Sequence, residues 1–338
     1  MRPHRSAALL VLLAAGCSGG TQPSSGTDWL DVSVTFQDAA IVVERVSYRS
    51  DGLVVQGQVC RPADSARHPV LIFAHGGWVG LGTELDPAVS LCAALARFGS
   101  VMVEPSYRGE DGSEGAIELC QGESRDLARM LAVVRSRPYT DTTSLRALGG
   151  SHGGCVLLRA LAEGLPVSRA AVDYPAVVWT EIYDSLIARY AGATPTQQAA
   201  YQYVLDGVTL YLGGTPATQP AAYAVRDLTP LVALLASYPG KLLLQQGVND
   251  DIVPAVQSCR LAAQMTAFFS YHVAVDSTTI ATAPASCSGN GLTWRTDLIP
   301  LGSWPGARYL IQYDSVDHSG GLLRPLLNTH TLDFLYAP

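Results

Sequence analysis

The sequence predicts an α/β fold with a mostly parallel central sheet flanked by helices. Short runs that are apolar on both faces alternate along the chain with amphipathic helical stretches, and buried parallel strands have this character. Several of these runs lead directly into glycine-rich or polar segments. Open α/β sheets bind ligands at the carboxyl ends of their strands, so these segments are the predicted location of the functional site.

The composition indicates the size of the core and the kinds of partner to expect. The 338 residues are 48% hydrophobic and 15% charged, which is enough for one large α/β domain. The net charge is −7 and the sequence has no run of Lys or Arg, so we expect no nucleic-acid partner. The sequence lacks the short motifs that bind metals, nucleoside triphosphates and dinucleotides, and we expect no cofactor.

The first half of the chain predicts strands and helices in alternation. Residues 31–60 have the pattern of β-strands, with a turn at residues 50–52. Buried strands and amphipathic helices then follow one another, and one of the helices stops before Pro138. The predicted ranges are 70–74, 86–98, 101–103, 126–137, 145–148, 152–163 and 170–172.

The second half contains two insertions. Residues 180–240 are rich in Ala, Tyr, Thr and Leu, and their interrupted helical pattern predicts a cap over the sheet edge. A buried strand at 241–245 and a helix at 256–269 come next. Residues 272–306 are polar and predict an extra loop. A strand at 309–311 and a closing helix complete a predicted domain that begins at residue 31.

One short motif stands between a predicted strand and a predicted helix. Residues 149–153 read Gly-Gly-Ser-His-Gly, which matches G-x-S-x-G. In such an elbow a sharp turn exposes the serine hydroxyl at the end of the sheet, so Ser151 is the predicted nucleophile. A second match surrounds Ser18, but no strand precedes it and no helix follows it. We therefore set Ser18 aside.

A serine hydroxyl needs a base and a group that orients the base. In hydrolases with this elbow the order along the chain is Ser, Asp or Glu, and then His. Asp250 and His318 each follow a predicted strand and are the expected partners, with Asp251 as a rival acid. A plain turn residue and a surface histidine remain the alternatives. His68, His272 and His330 are less well placed.

His75-Gly76-Gly77 follows the strand at 70–74 and has the pattern of an oxyanion hole. Glycines leave room for backbone N–H groups to point at a developing oxyanion, and we assign this role to Gly76 and Gly77. The second donor is expected to be the backbone N–H of His152, the residue after the nucleophile. The imidazole of His152 is interpreted as structural rather than catalytic.

Three segments together resemble the catalytic domain of the prolyl-oligopeptidase and dienelactone-hydrolase branch of the α/β-hydrolases. They are residues 149–154, Asp317-His318, and residues 247–254, which read Gly-Val-Asn-Asp-Asp-Ile-Val-Pro. The resemblance implies an α/β-hydrolase fold over about residues 45–338. In that branch the aspartate of G-x-x-D-x-x-V-P is the triad acid, which implies this role for Asp250. Residues 106–109 resemble the branch's Y-R-G segment, a structural or pocket-wall element.

The leading hypothesis is a serine hydrolase that cleaves a small carboxylic ester through an acyl-enzyme. A peptidase acting on short peptides is the runner-up. Oligopeptidases of this branch carry an N-terminal β-propeller that filters substrates, and the residues before the first core strand are too few to form one. Glu181 and Asp184 are the early cap carboxylates that could hold a peptide amino terminus. A catalytically idle, surface-tethered binding protein is the third hypothesis. Four cap tyrosines either form an aromatic pocket or pack the cap on the core: Tyr190, Tyr201, Tyr203 and Tyr211.

The beginning of the sequence predicts export. Basic Arg2 and Arg5 precede an apolar stretch at 7–15, and the small residues before Cys17 resemble the lipobox of bacterial lipoproteins. The resemblance implies a signal peptide at 1–16, lipidation of Cys17 and a tether at 17–30. The lipid would be the only membrane attachment, on an outer membrane facing the periplasm or exterior. An ordinary secretory signal is the alternative.

Six further cysteines are compatible with disulfides in an exported chain. Their spacing does not determine the connectivity. We expect Cys259–Cys287 and Cys92–Cys120 as pairs. Cys155 follows the elbow on a helix face that we expect to be buried, and it is predicted to be a free thiol.

Overall fold

The central sheet contains 11 strands in the part of the chain that the structure describes. This computed structural model describes residues 29–78, 80, 90–265, 267–274, 279–280, 282–318 and 324–338. The predicted signal peptide, Cys17 and Ser18 lie outside the described residues, as do most of the tether, the start of the helix expected at 86–98 and part of the extra loop.

Nine of the strands occupy positions that the sequence pattern predicts, but two in the second half fall within the predicted helix at 256–269 and the predicted extra loop at 272–306. They are β1 Asp31–Gln37, β2 Ile41–Ser50, β3 Leu53–Pro62, β4 His68–Ala74, β5 Val101–Pro105, β6 Thr140–Gly150, β7 Arg169–Asp173, β8 Lys241–Gly247, β9 Phe268–Val273, β10 Thr279–Ile280 and β11 Arg308–Tyr313. The order across the sheet is β1-β2-β3-β5-β4-β6-β7-β8-β11-β9-β10. The strands from β5 to β9 in that order are parallel, and the flanking strands pair antiparallel. This confirms the predicted fold class.

Helices cover both faces of the sheet. They are α1 Leu91–Arg97, α2 Gly122–Val134, α3 His152–Ala162, α4 Trp179–Tyr190, α5 Pro195–Leu212, α6 Pro220–Ala224, α7 Val232–Ala236, α8 Val256–Gln264 and α9 Arg324–Tyr336. The stretch predicted to be helical over 180–240 thus contains α4 to α7. The longest of these, α5, begins with a capping box in which Thr194 and Gln197 bond reciprocally. No described helix is both long and apolar enough to cross a bilayer.

The two faces of the sheet bury separate apolar clusters. Buried side chains of α1 and α9 pack on one face, whereas α2, α3 and α8 pack on the other. Leu157 and Leu161 of α3 are buried in the cluster that α2, α3 and α8 form with the sheet. Burying a leucine side chain stabilises the fold by about 1.5–3 kcal/mol. This packing anchors α3, and with it Ser151 at the helix start.

The prediction of one helix over 256–269 is wrong at its carboxyl end. The helix α8 stops at Gln264, and residues 268–273 form β9, which pairs parallel with β11. The segment is rich in aromatic and β-branched side chains, Phe268, Phe269 and Tyr271 among them, which suit a pleated and half-buried surface. Neighbouring β11 supplies the hydrogen-bonding edge that a local helical pattern cannot reveal.

Three disulfides join the six cysteines that follow Cys17. They are Cys60–Cys92, Cys120–Cys155 and Cys259–Cys287. The expected Cys259–Cys287 pair is confirmed, but Cys92–Cys120 and a free Cys155 are wrong. Cys92 bonds to β3 because α1 packs against that strand, and Cys120 precedes α2, which packs beside α3. Helix packing, rather than order along the chain, determines these partners.

Candidate active site

Ser151 occupies a strained turn between β6 and α3. Its φ is 55° and its ψ is −123°, in the left-handed half of backbone space that a non-glycine residue rarely adopts. The turn is tight, because a Cβ at Gly153 would lie 1.9 Å from the carbonyl oxygen of Ala74. Only glycine fits there, and it lets α3 start directly against the end of β4.

His318 bridges Ser151 and Asp250. Its Nε2 lies 3.0 Å from the Ser151 Oγ, and its Nδ1 lies 3.0 Å from each carboxylate oxygen of Asp250. The three residues are far apart in the sequence but follow β6, β8 and β11, which are neighbours or near neighbours in the sheet. A hydroxyl, an imidazole and a carboxylate therefore form one hydrogen-bonded chain.

The Asp250 carboxylate is held by more than the histidine. It is 3% exposed and accepts the backbone N–H groups of Ile252 and Val253 at 3.0 and 2.8 Å. The Gln246 side chain donates a further bond at 2.7 Å. These donors fix the carboxylate so that it faces the imidazole ring.

Asp251 faces the other way, although it is adjacent. Its carboxylate accepts hydrogen bonds from Gln197 and from the Tyr201 hydroxyl, each at 3.2 Å, and both donors belong to α5. Successive residues in this turn thus contact different parts of the molecule. Asp250 makes the contact with His318, and Asp251 connects the turn to the helical insertion.

The electrostatic surroundings favour a protonated imidazole at His318. Burial by itself lowers the pKa of His318, whereas the nearby carboxylate of Asp250 and its hydrogen bond raise it. Asp251 and Asp317 act in the same direction, so the pKa of His318 is raised above its usual value. A base in this setting accepts a proton readily and stabilises the imidazolium.

Gly76 lies beside the serine, and Gly77 lines the same cavity. A Cβ at Gly76 would lie 3.1 Å from the carbonyl oxygen of Gly150 and 3.3 Å from the Cβ of Ser151, so the segment after β4 is in direct contact with the elbow. Both glycines, Ser151 and His152 line the same cavity. The residues predicted to bind an oxyanion are therefore together on one wall.

The cavity at this end of the sheet has a volume of about 570 Å³ and a mainly apolar lining. Tyr203 of α5 stacks on Trp78 with ring centroids 5.1 Å apart, and of the four predicted cap tyrosines Tyr203 is the one that lines the cavity. The other lining residues are Phe73, Leu91, Leu148, Gly150, Asp173, Tyr174, Ala176, Trp179, Ile182, Ala200, Val204, Ile252, Val253 and His318.

Asp173 is a cavity residue that sequence reasoning missed. It ends β7, is 7% exposed and accepts a hydrogen bond from Gln245 at 2.9 Å. Burial raises the pKa of Asp173 to about 7, and the Gln245 bond offsets part of this effect. Asp173 directly follows the predicted strand at 170–172, and the carboxyl ends of parallel strands meet at the site, so this position could have identified it. The segment has no motif that indicates a catalytic or binding residue.

The remaining predicted histidines have other partners. His68 contacts Asp64, and His272 contacts Asp314. His330 contacts the Tyr313 hydroxyl at 2.6 Å, and burial lowers the pKa of His330 to about 4. His75 lies 3.2 Å from the Glu110 carboxylate and stacks on Tyr107. None of these four rings lines the cavity that holds Ser151.

The Tyr-Arg-Gly segment also serves the scaffold. The Arg108 guanidinium is 3% exposed and contacts three carboxylates, those of Asp51, Glu118 and Asp126, at 2.8 to 2.9 Å. The pKa of Arg108 is raised, because these carboxylates outweigh its burial. The segment thereby joins the β2–β3 turn to α2, in keeping with its interpretation as structural.

Known structures with this architecture are α/β-hydrolases. An acetyl xylan esterase from Paenibacillus sp. R4 superimposes with a TM-score of 0.56 and 16% identity, covering 91% of this chain and 87% of its own. Dipeptidyl peptidase 4 of Porphyromonas gingivalis superimposes with a TM-score of 0.55 and 18% identity over 88% of this chain and 35% of its own. These similarities establish the α/β-hydrolase fold.

The sequence comparison identifies the family. A profile of the prolyl oligopeptidase family matches residues 89–279, more than half of the chain, and the chain belongs to this family of serine hydrolases. A relative described as the uncharacterized peptidase YtmA of Bacillus subtilis (strain 168) is 22% identical over 181 residues. That match covers 54% of this chain and 64% of the relative, so it spans less than two thirds of that protein.

Proposed function

We propose that the protein is a carboxylesterase that cleaves small esters through a covalent acyl-enzyme. The single observation that carries this proposal is the hydrogen-bonded chain from Ser151 through His318 to Asp250 beside an apolar cavity. Catalysis by such a triad requires these groups in this order of contact.

In the proposed mechanism the Ser151 Oγ attacks the ester carbonyl carbon while the His318 Nε2 takes the hydroxyl proton. Asp250 orients the ring through Nδ1 and stabilises the imidazolium. The backbone N–H groups at Gly76 or Gly77 and at His152 stabilise the oxyanion, each donor contributing about 3 kcal/mol. His318 returns the proton to the leaving alcohol, and water then releases the acid by the same steps.

The lining of the cavity favours an ester over a peptide. Among the described lining residues Asp173 is the one carboxylate, and it already accepts a bond from Gln245. Glu181, considered as an anchor for a peptide amino terminus, is paired with Arg260 at 2.5 Å, and Asp184 is exposed. A neutral, apolar acyl group suits such a lining better than a charged amino terminus.

The test is turnover of p-nitrophenyl esters of different acyl lengths by the wild type and by Ser151→Ala. We expect the wild type to hydrolyse short esters and the variant to lose more than about 10³-fold in kcat with an unchanged melting temperature. Activity that persists in the folded variant would contradict the proposal. An unreactive wild type that also fails to react with a fluorophosphonate would instead favour the idle binding protein.

A peptidase is the second candidate, because the family is named for one and the relative YtmA is described as a peptidase. Aminoacyl-naphthylamides and short peptides, assayed beside the esters, separate the two. Faster cleavage of the amides than of the esters would make the peptidase the better assignment.

We also propose that α4 to α7 act as a cap that shapes the substrate cavity. Ala200, Tyr203 and Val204 of α5 contribute to its lining, as do Trp179 and Ile182 of α4. No catalytic role is assigned to these side chains. Their proposed role is to select the acyl group and to exclude water.

Export with a lipid on Cys17 remains a proposal. The three disulfides of the described residues suit an oxidising, extracytoplasmic compartment. Mass spectrometry of the mature protein from a bacterial membrane fraction tests it. We expect the mature protein to begin with a diacylated Cys17. Loss of the unmodified Cys17→Ser variant from the membrane fraction would support the proposal. An unlipidated mature wild type would leave the secretory alternative.

A further inference from the structure

The side chain of His152 links the two proposed halves of the oxyanion hole. Its Nδ1 lies 2.8 Å from the Gly77 carbonyl oxygen, and its Nε2 lies 3.2 Å from the backbone nitrogen of Cys120. A backbone N–H can only donate, so Nε2 is the acceptor. The ring proton therefore lies on Nδ1, which donates to Gly77.

This tautomer is protected by the surroundings of the ring. His152 is 1% exposed, and the rings of Trp78, Tyr107 and Trp179 surround it edge-on with centroids 6.0 to 6.3 Å away. Burial lowers the pKa of His152 to about 4, and its bond to Gly77 only partly offsets this. The ring is accordingly neutral at physiological pH and keeps both hydrogen bonds.

The two segments that His152 joins are distant in the sequence. Gly77 follows β4, whereas His152 is the first residue of α3, 75 positions later. The proposed oxyanion donors come from these two segments, so their separation depends on how the segments are joined. The ring of His152 spans them directly, and it belongs to the residue whose own backbone N–H is one of the donors.

The segment around Cys120, whose backbone N–H donates to the His152 Nε2, is itself attached to α3. Cys120 forms a disulfide with Cys155 of that helix. Leu119 and Cys120 both have positive φ values, 51° and 72°, which non-glycine residues rarely adopt. The Glu123 carboxylate supports the bend by accepting the Leu119 N–H at 3.0 Å. The bend directs the Cys120 N–H at the imidazole.

We propose that the His152 side chain is a positioning residue that holds the two halves of the oxyanion hole at a fixed separation, and that the Cys120–Cys155 disulfide holds His152 in place. This inference rests on the proposed function. An oxyanion exists in the transition state and not in the bound ester, so the interaction contributes to kcat and hardly to KM.

The first experiment compares His152→Leu with His152→Asn, using p-nitrophenyl butyrate. Leucine removes both hydrogen bonds, while the asparagine amide can place its nitrogen where Nδ1 was and donate to Gly77. We expect kcat to fall about 30-fold in His152→Leu, with KM changed less than about threefold, and to recover at least in part in His152→Asn.

Phosphonylation of Ser151 by a fluorophosphonate gives a second readout, because the phosphoryl oxygen occupies the oxyanion hole. Its rate should fall in parallel with kcat. An unchanged kcat in His152→Leu would overturn the positioning role, and so would a loss that His152→Asn does not reduce. Esterase activity surviving in Ser151→Ala would instead overturn the proposed function.

The second experiment removes one disulfide at a time. The double variant Cys120→Ala/Cys155→Ala is compared with Cys259→Ala/Cys287→Ala, whose cysteines are 28 residues apart instead of 35. Loops of similar length should give similar losses of melting temperature. We expect kcat to fall about tenfold only in the first variant, measured well below both melting temperatures. Equal effects on kcat, or no effect in either, would contradict the part assigned to the disulfide.

Discussion

The end of the sheet and the helical insertion differ in how closely their residues are held. At the sheet end a Cβ at Gly76 or Gly153 would press on neighbouring backbone, and the Asp250 carboxylate has hydrogen bonds from three donors besides His318. In the insertion Tyr203 is 43% exposed and Leu210 is 71% exposed. The first region resists a change of shape, while the exposed side chains of the second can be altered at little cost to the fold.

The boundary between these regions passes between two adjacent residues. Asp250 contacts His318, and Asp251 contacts α5 of the insertion. Under the proposed function, chemistry belongs to the sheet end and substrate selection to the insertion. Sheet-end variants should then slow all substrates alike, whereas variants of the insertion should change the ratio between substrates.

The largest effect is expected for Asp250→Asn. The amide no longer stabilises the imidazolium and allows the wrong ring tautomer, so kcat should fall about 10⁴-fold for esters of every acyl length. Steady-state kinetics on acetyl and octanoyl p-nitrophenyl esters provide the measurement. A loss restricted to one acyl length would show that Asp250 also takes part in selection, and the separation of regions would fail.

Gly76→Ala should have the next largest effect. The new Cβ would lie 3.1 Å from the Gly150 carbonyl oxygen, so the segment and the elbow have to separate by a few tenths of an ångström. Misplacing an oxyanion donor should lower kcat about 10²-fold with little change in KM. Gly192→Ala is the matched control, because a Cβ there would have its nearest neighbour at 4.0 Å. Equal losses in both variants would point to a general effect on folding.

Tyr203→Ala tests the role of the insertion in substrate selection. The change removes the stack on Trp78 and widens the cavity, so activity on octanoyl esters relative to acetyl esters should change about tenfold. Leu210→Ala, in the exposed part of the same helix, should leave that ratio unchanged. A uniform loss of activity on both esters in Tyr203→Ala would remove the insertion from substrate selection.

The smallest effect concerns pH and Asp251→Asn. His318 acts as a base only when neutral, so kcat/KM should fall as the pH drops through its pKa. Asp251 is one of the carboxylates that raise the pKa of His318. Removing its charge lowers that pKa, and the acid limb should move to lower pH with plateau activity within about threefold of wild type.

Asp184→Asn serves as the control for this pH profile, because Asp184 is exposed and is not among the groups that shift His318. Its acid limb should coincide with that of the wild type. Movement of the limb to higher pH in Asp251→Asn would contradict the assignment of His318 as the base.

The predictions from sequence were most successful where a local pattern has one structural meaning. The strand, glycine turn and helix around Ser151 are a short-range feature, and the structure has them where expected. The predicted end of the helix at residue 269 was wrong, because residues 268–273 form a strand that depends on pairing with β11. The predicted Cys92–Cys120 pair and the predicted free thiol at Cys155 were wrong for a similar reason. The packing of α2 on α3 brings Cys120 and Cys155 together.

The sequence by itself determined the alternation of strands and helices, the elbow, and which acids and histidines follow a strand. These are properties of residues close together in the chain, which periodicity and turn chemistry can express. The sequence favoured Asp250 over Asp251 through a family motif, and the structure shows the contact of Asp250 with His318. Only the tertiary structure decided that Tyr203 enters the cavity and that the His152 ring bonds to Gly77 and Cys120. Such contacts depend on the direction of side chains from distant segments, which sheet order and helix packing set together.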